Sequence, residues 1–353
     1  MPGEIRDSLD TAKTFSELAS IRRQADSIVR PISAEACDVS ATMATLTSLH
    51  QRIIKRTFEL CLREAIAEGA MPPQVSYCFL VMGSAGRREM LLAPDQDHAM
   101  IFEDVADERI AEIEAFFGPL GQRLVAALER VGYPPCHGGV MASNPAWRGR
   151  LSDWRTRIAD WVNNPEPHKI RYSSIFFDFA PVAGDPALAE SLRGIVRGLI
   201  RAFPRFLYHM IALDSRYKVP IDLLGRFVLD KRGKHKGELS LKQGGSVYIV
   251  DCIRMFALER GLDEATTLER LAALARGNVF DAQTANRIRA AFETLTFLRL
   301  RNEVGLLDLG NEPSPYLAPG SLSEDERDQL RKALHAVSKL QKITRRHFER
   351  APF

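Results

Sequence analysis

Two aspartates one residue apart, Asp95 and Asp97, follow a glycine-bearing stretch, Gly83-Ser84-Ala85-Gly86-Arg87-Arg88-Glu89. Paired carboxylates suit Mg²⁺ or Mn²⁺, hard cations that also need phosphate oxygens and water around them. Gly83 and Gly86 let backbone N–H groups approach an anion closely, and a helix opening at Ser84 would add its dipole and unpaired donors. The Ser84 hydroxyl is a further donor. Arg87 carries a planar fork that matches phosphate oxygens, and Glu89 either orients Arg87 or a metal-bound water or is a surface glutamate of a first helical turn. Together these residues suit a metal-bound nucleoside triphosphate. Taken singly, each half has a plainer explanation as a tight turn or as solvated carboxylates.

The elements that must position them can be read from periodicity. Val75–Met82 is an apolar run entered from Pro72-Pro73, which predicts a buried strand ending at the first glycine. Asp95–Phe102 predicts a second strand, whose period of two sends Asp95 and Asp97 to one face at its start. Ser174–Val182 reads as a third strand, and Asp178 within it is costly to bury unless a metal, a partner or water offsets its desolvation. Between them Tyr133–Trp147 is a loop punctuated by glycine and proline. Its adjacent Cys136 and His137 lack the further ligands that zinc requires, so no zinc site is expected there. Trp154, Ile158 and Trp161 form a stripe at helical spacing, expected in a core.

The order glycine-serine, spacer, Asp-x-Asp resembles the nucleotidyltransferase superfamily typified by DNA polymerase beta. The fuller pattern, Gly83-Ser84-x-Gly86-Arg87-x-Glu89 and then Asp95-x-Asp97, resembles the branch that holds PII-protein uridylyltransferases, glutamine synthetase adenylyltransferases and bacterial nucleotidyltransferases joined to CBS or cyclic-nucleotide-binding domains. The chain is most similar to the last group. That resemblance implies an α+β fold, a polymerase-beta-like domain with a small mixed sheet and helices, flanked by an N-terminal helical hairpin and a C-terminal helical bundle. It implies that Asp178 completes a catalytic trio with Asp95 and Asp97, all three holding Mg²⁺ or Mn²⁺, while Gly83, Ser84, Gly86 and Arg87 hold the nucleotide. An acceptor hydroxyl would attack the α-phosphorus with pyrophosphate leaving, two cations lying about 3.5–4 Å apart. Lys242-x-Gly244-Gly245 resembles an element of the uridylyltransferases' helical domain, so Lys242, Gly244 and Gly245 are further nucleotide-binding candidates. Two positions depart from the pattern. Ala180 stands where an arginine is common, and Tyr248 stands where the uridylyltransferases have an aspartate.

The 353 residues carry a net charge of only +3, so no global basic field argues for a nucleic-acid partner. Five scattered cysteines and the lack of a recognisable signal peptide suggest a reducing cytoplasm, and no apolar run approaches the roughly 18 residues of a membrane span. Phe15, Leu18, Ile21, Ala25 and Ile28 trace one helical stripe closed by Pro31, and Met43 through Ile66 trace a longer one, so 1–70 is expected as a helical hairpin. Residues 71–185 are expected as the catalytic domain and 186–353 as a helical domain, in which an amphipathic helix follows Gly245. Lys231–Lys236 and Lys342–His347 read as solvated basic clusters. The expected activity is transfer of a nucleoside monophosphate from a nucleoside triphosphate to a protein or small molecule, nearest to PII uridylylation, by a monomer or homodimer. The competing expectations are a regulatory nucleotide sensor and, less compatible with the absence of a His-Asp cluster, a phosphohydrolase.

Overall fold

The computed structural model describes residues 3–30, 38–214 and 218–350. The chain divides into two units, Met1–Ile28 with Ala41–Leu199, and Val29–Ser40 with Ile200–Phe353. Pro31, read as the stop of the first helical stripe, lies outside the described residues.

The first unit opens with α1 (Gly3–Thr11), α2 (Phe15–Arg23) and α3 (Ala25–Val29), followed by the long α4 (Val39–Ala67). The first stripe is therefore interrupted at Gln24, although Phe15, Leu18, Ile21 and Ala25 are all buried. Thr14 and Glu17 close a reciprocal capping box at the start of α2. In α4, Met43, Leu46, Leu49, Ile53, Ile54, Phe58, Leu60 and Cys61 face the core, whereas Ile66 at its end is exposed.

Strands β1 (Tyr77–Met82) and β2 (His98–Phe102) pair antiparallel. The sheet continues on one side of β2 with β3 (Arg148–Arg150), in parallel, and beside β1 with β4 (Phe179–Gly184), antiparallel. The spatial order is β3-β2-β1-β4, a small mixed sheet. Helices α5 (Ile110–Val131), α6 (Leu151–Asn163), α7 (Pro167–Phe176) and α8 (Pro186–Ala202) complete the element order of this part of the chain. Residues opposite one another across β1 and β2 share a face, so Tyr77, Phe79, Met100 and Phe102 form one apolar surface. Phe58 of α4 stacks on Phe79 with ring centroids 4.8 Å apart, and Phe117 of α5 meets Phe102 at 4.7 Å. The expected tryptophan stripe is a core: Trp154 stacks on Phe176 at 4.5 Å, Trp147 and Trp161 pack around them, and the Trp154 indole N–H donates to the Met100 carbonyl.

One strand expectation is corrected. Residues 174–176 end α7, and the strand begins at Phe179. An apolar run this short has no decisive period. Here the helix wins because Ile170, Ser173 and Phe176 fall on one buried face, while the Ser173 and Ser174 hydroxyls donate to carbonyls four residues back. Asp178 thus precedes β4 rather than lying within it.

The second unit contains α9 (Arg205–Asp214), a two-stranded pair β5 (Leu239–Ser240) with β6 (Tyr316–Leu317), and helices α10 (Val247–Arg260), α11 (Thr267–Arg276), α12 (Ala282–Asp308) and α13 (Glu324–Arg350). The helix after Gly245 was expected to be amphipathic. Instead α10 is the central helix, buried from Tyr248 to Ala257, because α9, α11 and α13 all pack on it. Its two buried charges, Asp251 and Arg254, pair with each other. No helix among the described residues is long and apolar enough to cross a membrane.

Trp154 is wholly buried and stacked, so Trp154→Ala is expected to lower stability by about 3–5 kcal/mol, the usual cost of truncating a large core aromatic. Urea unfolding followed by circular dichroism measures it. A cost below about 1 kcal/mol would contradict the assigned core.

Candidate active site

Asp95 and Asp97 lie just ahead of β2, and the alternation of the strand extends backward through them. Gln96 and His98 turn to one side, where Gln96 Oε1 and His98 Nε2 are 3.2 Å apart. The Gln96 amide also donates to the carbonyls of Tyr133 at 2.8 Å and Val125 at 3.2 Å. Asp95 and Asp97 are thereby sent the other way. The backbone is fixed as well: Gln96 N–H donates to Pro134 O, His98 N–H to Val140 O, and Met82 N–H to Asp97 O. His98 Nδ1 accepts from the Ala142 N–H at 3.0 Å, which leaves Nε2 as the donor to Gln96. Residues 133–142 are therefore laced along 96–98.

That lacing brings Cys136 to the aspartates. One carboxylate oxygen of each aspartate and the Cys136 sulfur lie within 4.8 Å of one another, a group able to hold a metal ion. Asp95 is exposed, and Asp97 and Cys136 are half-buried, so the group is open to solvent on one side. Burial, with the neighbouring Asp97 carboxylate, pushes the Cys136 thiol up to about 11. His137, its exposed neighbour in sequence, is not in the group. The sequence reading set a metal site at Cys136 aside for want of nearby ligands, because the two aspartates that it meets lie some forty residues away in the chain.

The glycine stretch forms consecutive turns over residues 83–88 and not the helix envisaged at Ser84. Its N–H groups are used internally: Ala85 and Gly86 donate to Met82 O, Arg87 to Gly83 O, and Glu89 to Ser84 O. Gly83 has φ +58°, and a Cβ there would sit 3.2 Å from Asp97 Oδ2. At Gly86 a Cβ would fall 2.0 Å from the Asp178 carbonyl oxygen, so this glycine permits a backbone contact with the segment carrying Asp178. One face of α4 braces the turn from behind. Thr47 Oγ1 accepts from Met90 N–H, His50 contacts Leu91 O, and Gln51 donates to Ala85 O.

Asp178 and Asp97 flank the end of β1 on opposite sides. Phe179 pairs with Met82, and Met82 N–H donates to Asp97 O, so their backbones are about two strand spacings, roughly 9–10 Å, apart. Asp178 is not in the group of Asp95, Asp97 and Cys136. Its side chain is wholly buried and accepts from Arg87 Nη1 at 2.7 Å, while Arg87 Nε donates to Glu89 at 2.8 Å. The basic contact that Ala180 cannot make to this carboxylate is thus made by Arg87. Glu89, itself buried, is thus paired with Arg87 and is not a surface residue.

Lys242, Gly244 and Gly245 lie in the second unit, on a π-helical turn, Lys242–Ser246, that leads into α10. Lys242 is exposed. A Cβ at Gly244 would lie 2.8 Å from Pro220 Cδ, and one at Gly245 would lie 3.2 Å from Leu295, so tight packing already requires both glycines.

Removing Arg87 leaves Asp178 buried without this cation. Arg87→Ala is expected to cost about 3–5 kcal/mol in urea unfolding, and adding Asp178→Asn is expected to recover part of it. Additive losses would contradict the pairing. Burial also holds His50 and His98 down at about 3, both neutral in the folded chain. The unfolded state then binds more protons once the pH drops below the ordinary histidine value of 6.5. Stability is full above that value and falls toward pH 3, by up to about 1.4 kcal/mol per pH unit for each histidine. Unfolding midpoints that stay constant between about pH 7 and 5 would refute this.

Two family descriptions match the chain: "Putative nucleotidyltransferase DUF294" over residues 23–168, and "Putative nucleotidyltransferase substrate binding domain" over residues 204–348. There is no match among curated proteins. The first match takes in the glycine turn, both aspartates and the Cys136 loop, and the second takes in Lys242, Gly244 and Gly245. With both matches covering most of its length, the chain belongs to this nucleotidyltransferase family.

Proposed function

We propose that the first unit transfers a nucleoside monophosphate from a nucleoside triphosphate to a hydroxyl on a protein or small molecule, with PII uridylylation the nearest named activity. The observation that carries this reading is the convergence of Asp95 and Asp97 on one open site beside the glycine turn. The donor set fits a divalent cation: two carboxylates with oxygens close together, an accessible side for phosphate and water, and a glycine where any side chain would press on Asp97.

Asp95 and Asp97 would hold such ions, which when bound neutralise the triphosphate and make an acceptor oxygen more nucleophilic. The protein supplies position and charge around them. Because the turn's N–H groups are largely occupied by its own carbonyls, the Ser84 hydroxyl and the Arg87 edge are the donors we assign to phosphate. Arg87 is held by Glu89 and Asp178, so its fork is oriented before substrate arrives. Asp178, at the far side of β1, is assigned to the acceptor side as the third carboxylate, a role in which it must open from its buried pair with Arg87 to take the hydroxyl proton. Lys242 and the turn at Gly244-Gly245 are proposed as nucleotide-binding residues of the second unit, on the strength of the resemblance.

The test is transfer of label from each of four α-³²P nucleoside triphosphates with Mg²⁺ or Mn²⁺, in the presence of cell lysate and candidate acceptor proteins. Transfer is expected with one preferred nucleotide. Asp95→Asn/Asp97→Asn is expected to reduce it on the order of 10³-fold, the several kcal/mol attributed to metal catalysis. Metal-dependent nucleotide binding without transfer to any acceptor would replace the enzyme reading with a sensor.

A further inference from the structure

Cys136 is the residue at this site that paired carboxylates alone do not explain. Its sulfur comes from a loop some forty residues along the chain, yet it lies within 4.8 Å of an oxygen of each aspartate. The loop is shaped around it. Gly139, with φ +67°, closes a turn by donating to Cys136 O. The Val140 carbonyl in turn accepts from His98 N–H, so the loop cannot drift from Asp97 without breaking the ladder beside it.

We propose that Cys136 is a third protein ligand to the divalent cation, making the centre a mixed oxygen and sulfur site that favours Mn²⁺ and Co²⁺ over Mg²⁺. The inference rests on the transferase reading for the place of the cation, and it adds the ligand and the ion preference. Mg²⁺ takes oxygen ligands in near-ideal octahedral geometry, whereas Co²⁺ accepts a thiolate beside oxygen ligands and Mn²⁺ does so more weakly. On binding, the S–H bond breaks, a sulfur–metal bond forms and the proton passes to bulk water through the open side of the site.

Co²⁺ alone, added to the intact, phosphine-reduced chain without nucleotide, reports the ligand directly. A thiolate-to-cobalt charge-transfer absorption in the near ultraviolet is expected, and Cys136→Ser is expected to abolish it. Cys136→Asp should still bind Co²⁺ through oxygen with no such band, which guards against a Ser variant that fails to fold. The ratio of Mn²⁺ to Mg²⁺ affinity, by calorimetry, is expected to fall about tenfold or more in Cys136→Asp, the scale on which changes in a metal's ligand environment act. Co²⁺ bound without a band, or a band that persists in Cys136→Ser, would overturn the inference and leave the transferase reading standing. Failure of the unaltered chain to bind any of the three ions would overturn both.

Discussion

The alternation of the backbone across residues 95–98 is the constraint on which the rest of the site depends. Four consecutive residues must serve two sides. Gln96 and His98 are buried and hydrogen-bonded to one another, to α5 and to the loop after it, and the aspartates between and before them are consequently turned outward together. A slip of one residue would bury two carboxylates and expose the amide and imidazole that anchor the loop. Because each buried polar atom of that pair has a partner, such a slip carries a large desolvation cost. The same hydrogen bonds that direct Asp95 and Asp97 also deliver Cys136, so one piece of local geometry sets the whole donor group.

The glycine turn depends on a different support. It makes no helix; its N–H groups close on carbonyls of residues 82–85, apart from Gly83, which donates to Ile175 O. What fixes it is α4, where Thr47, His50 and Gln51 present one helical face to residues 85–91. The N-terminal helices therefore have a positioning task in the first unit, which their ordinary apolar stripes give no sign of. On the far side of the turn, Gly86 admits the backbone at Asp178, and Arg87 reaches that carboxylate. A buried pair of this kind is costly to desolvate, and its retention makes sense where the arginine must be held in one orientation.

The second unit follows another logic. Its central helix, α10, is enclosed on nearly all sides, and the glycines ahead of it are required by Pro220 and Leu295. A side chain's absence can serve packing and ligand approach alike. In this unit the packing requirement is sufficient by itself, so Lys242 carries the nucleotide-binding proposal more directly than the two glycines do.

Much of the site was legible in the residues. Asp95 and Asp97 were assigned to one side by a period of two, the run before Gly83 was a strand, and Trp154, Ile158 and Trp161 were a buried stripe; each follows from a local rule that neighbours in sequence obey together. Other features were not legible, and for a common reason. Whether Ser174–Phe176 was helix or strand, whether Ser84 opened a helix, and whether α10 had a wet face all turned on what packs against them. Arg87 meeting Asp178 and Cys136 meeting Asp97 join residues dozens of positions apart, through strand pairing and a laced loop that no local pattern encodes. The sequence by itself determined the chemistry available, two carboxylates, a glycine turn and an arginine, because residue type and short spacing set donors and faces. Only the tertiary structure decided which of those groups converge on one open site and which neutralise one another, since that depends on long-range hydrogen bonds and on the cost of leaving a buried charge unpaired.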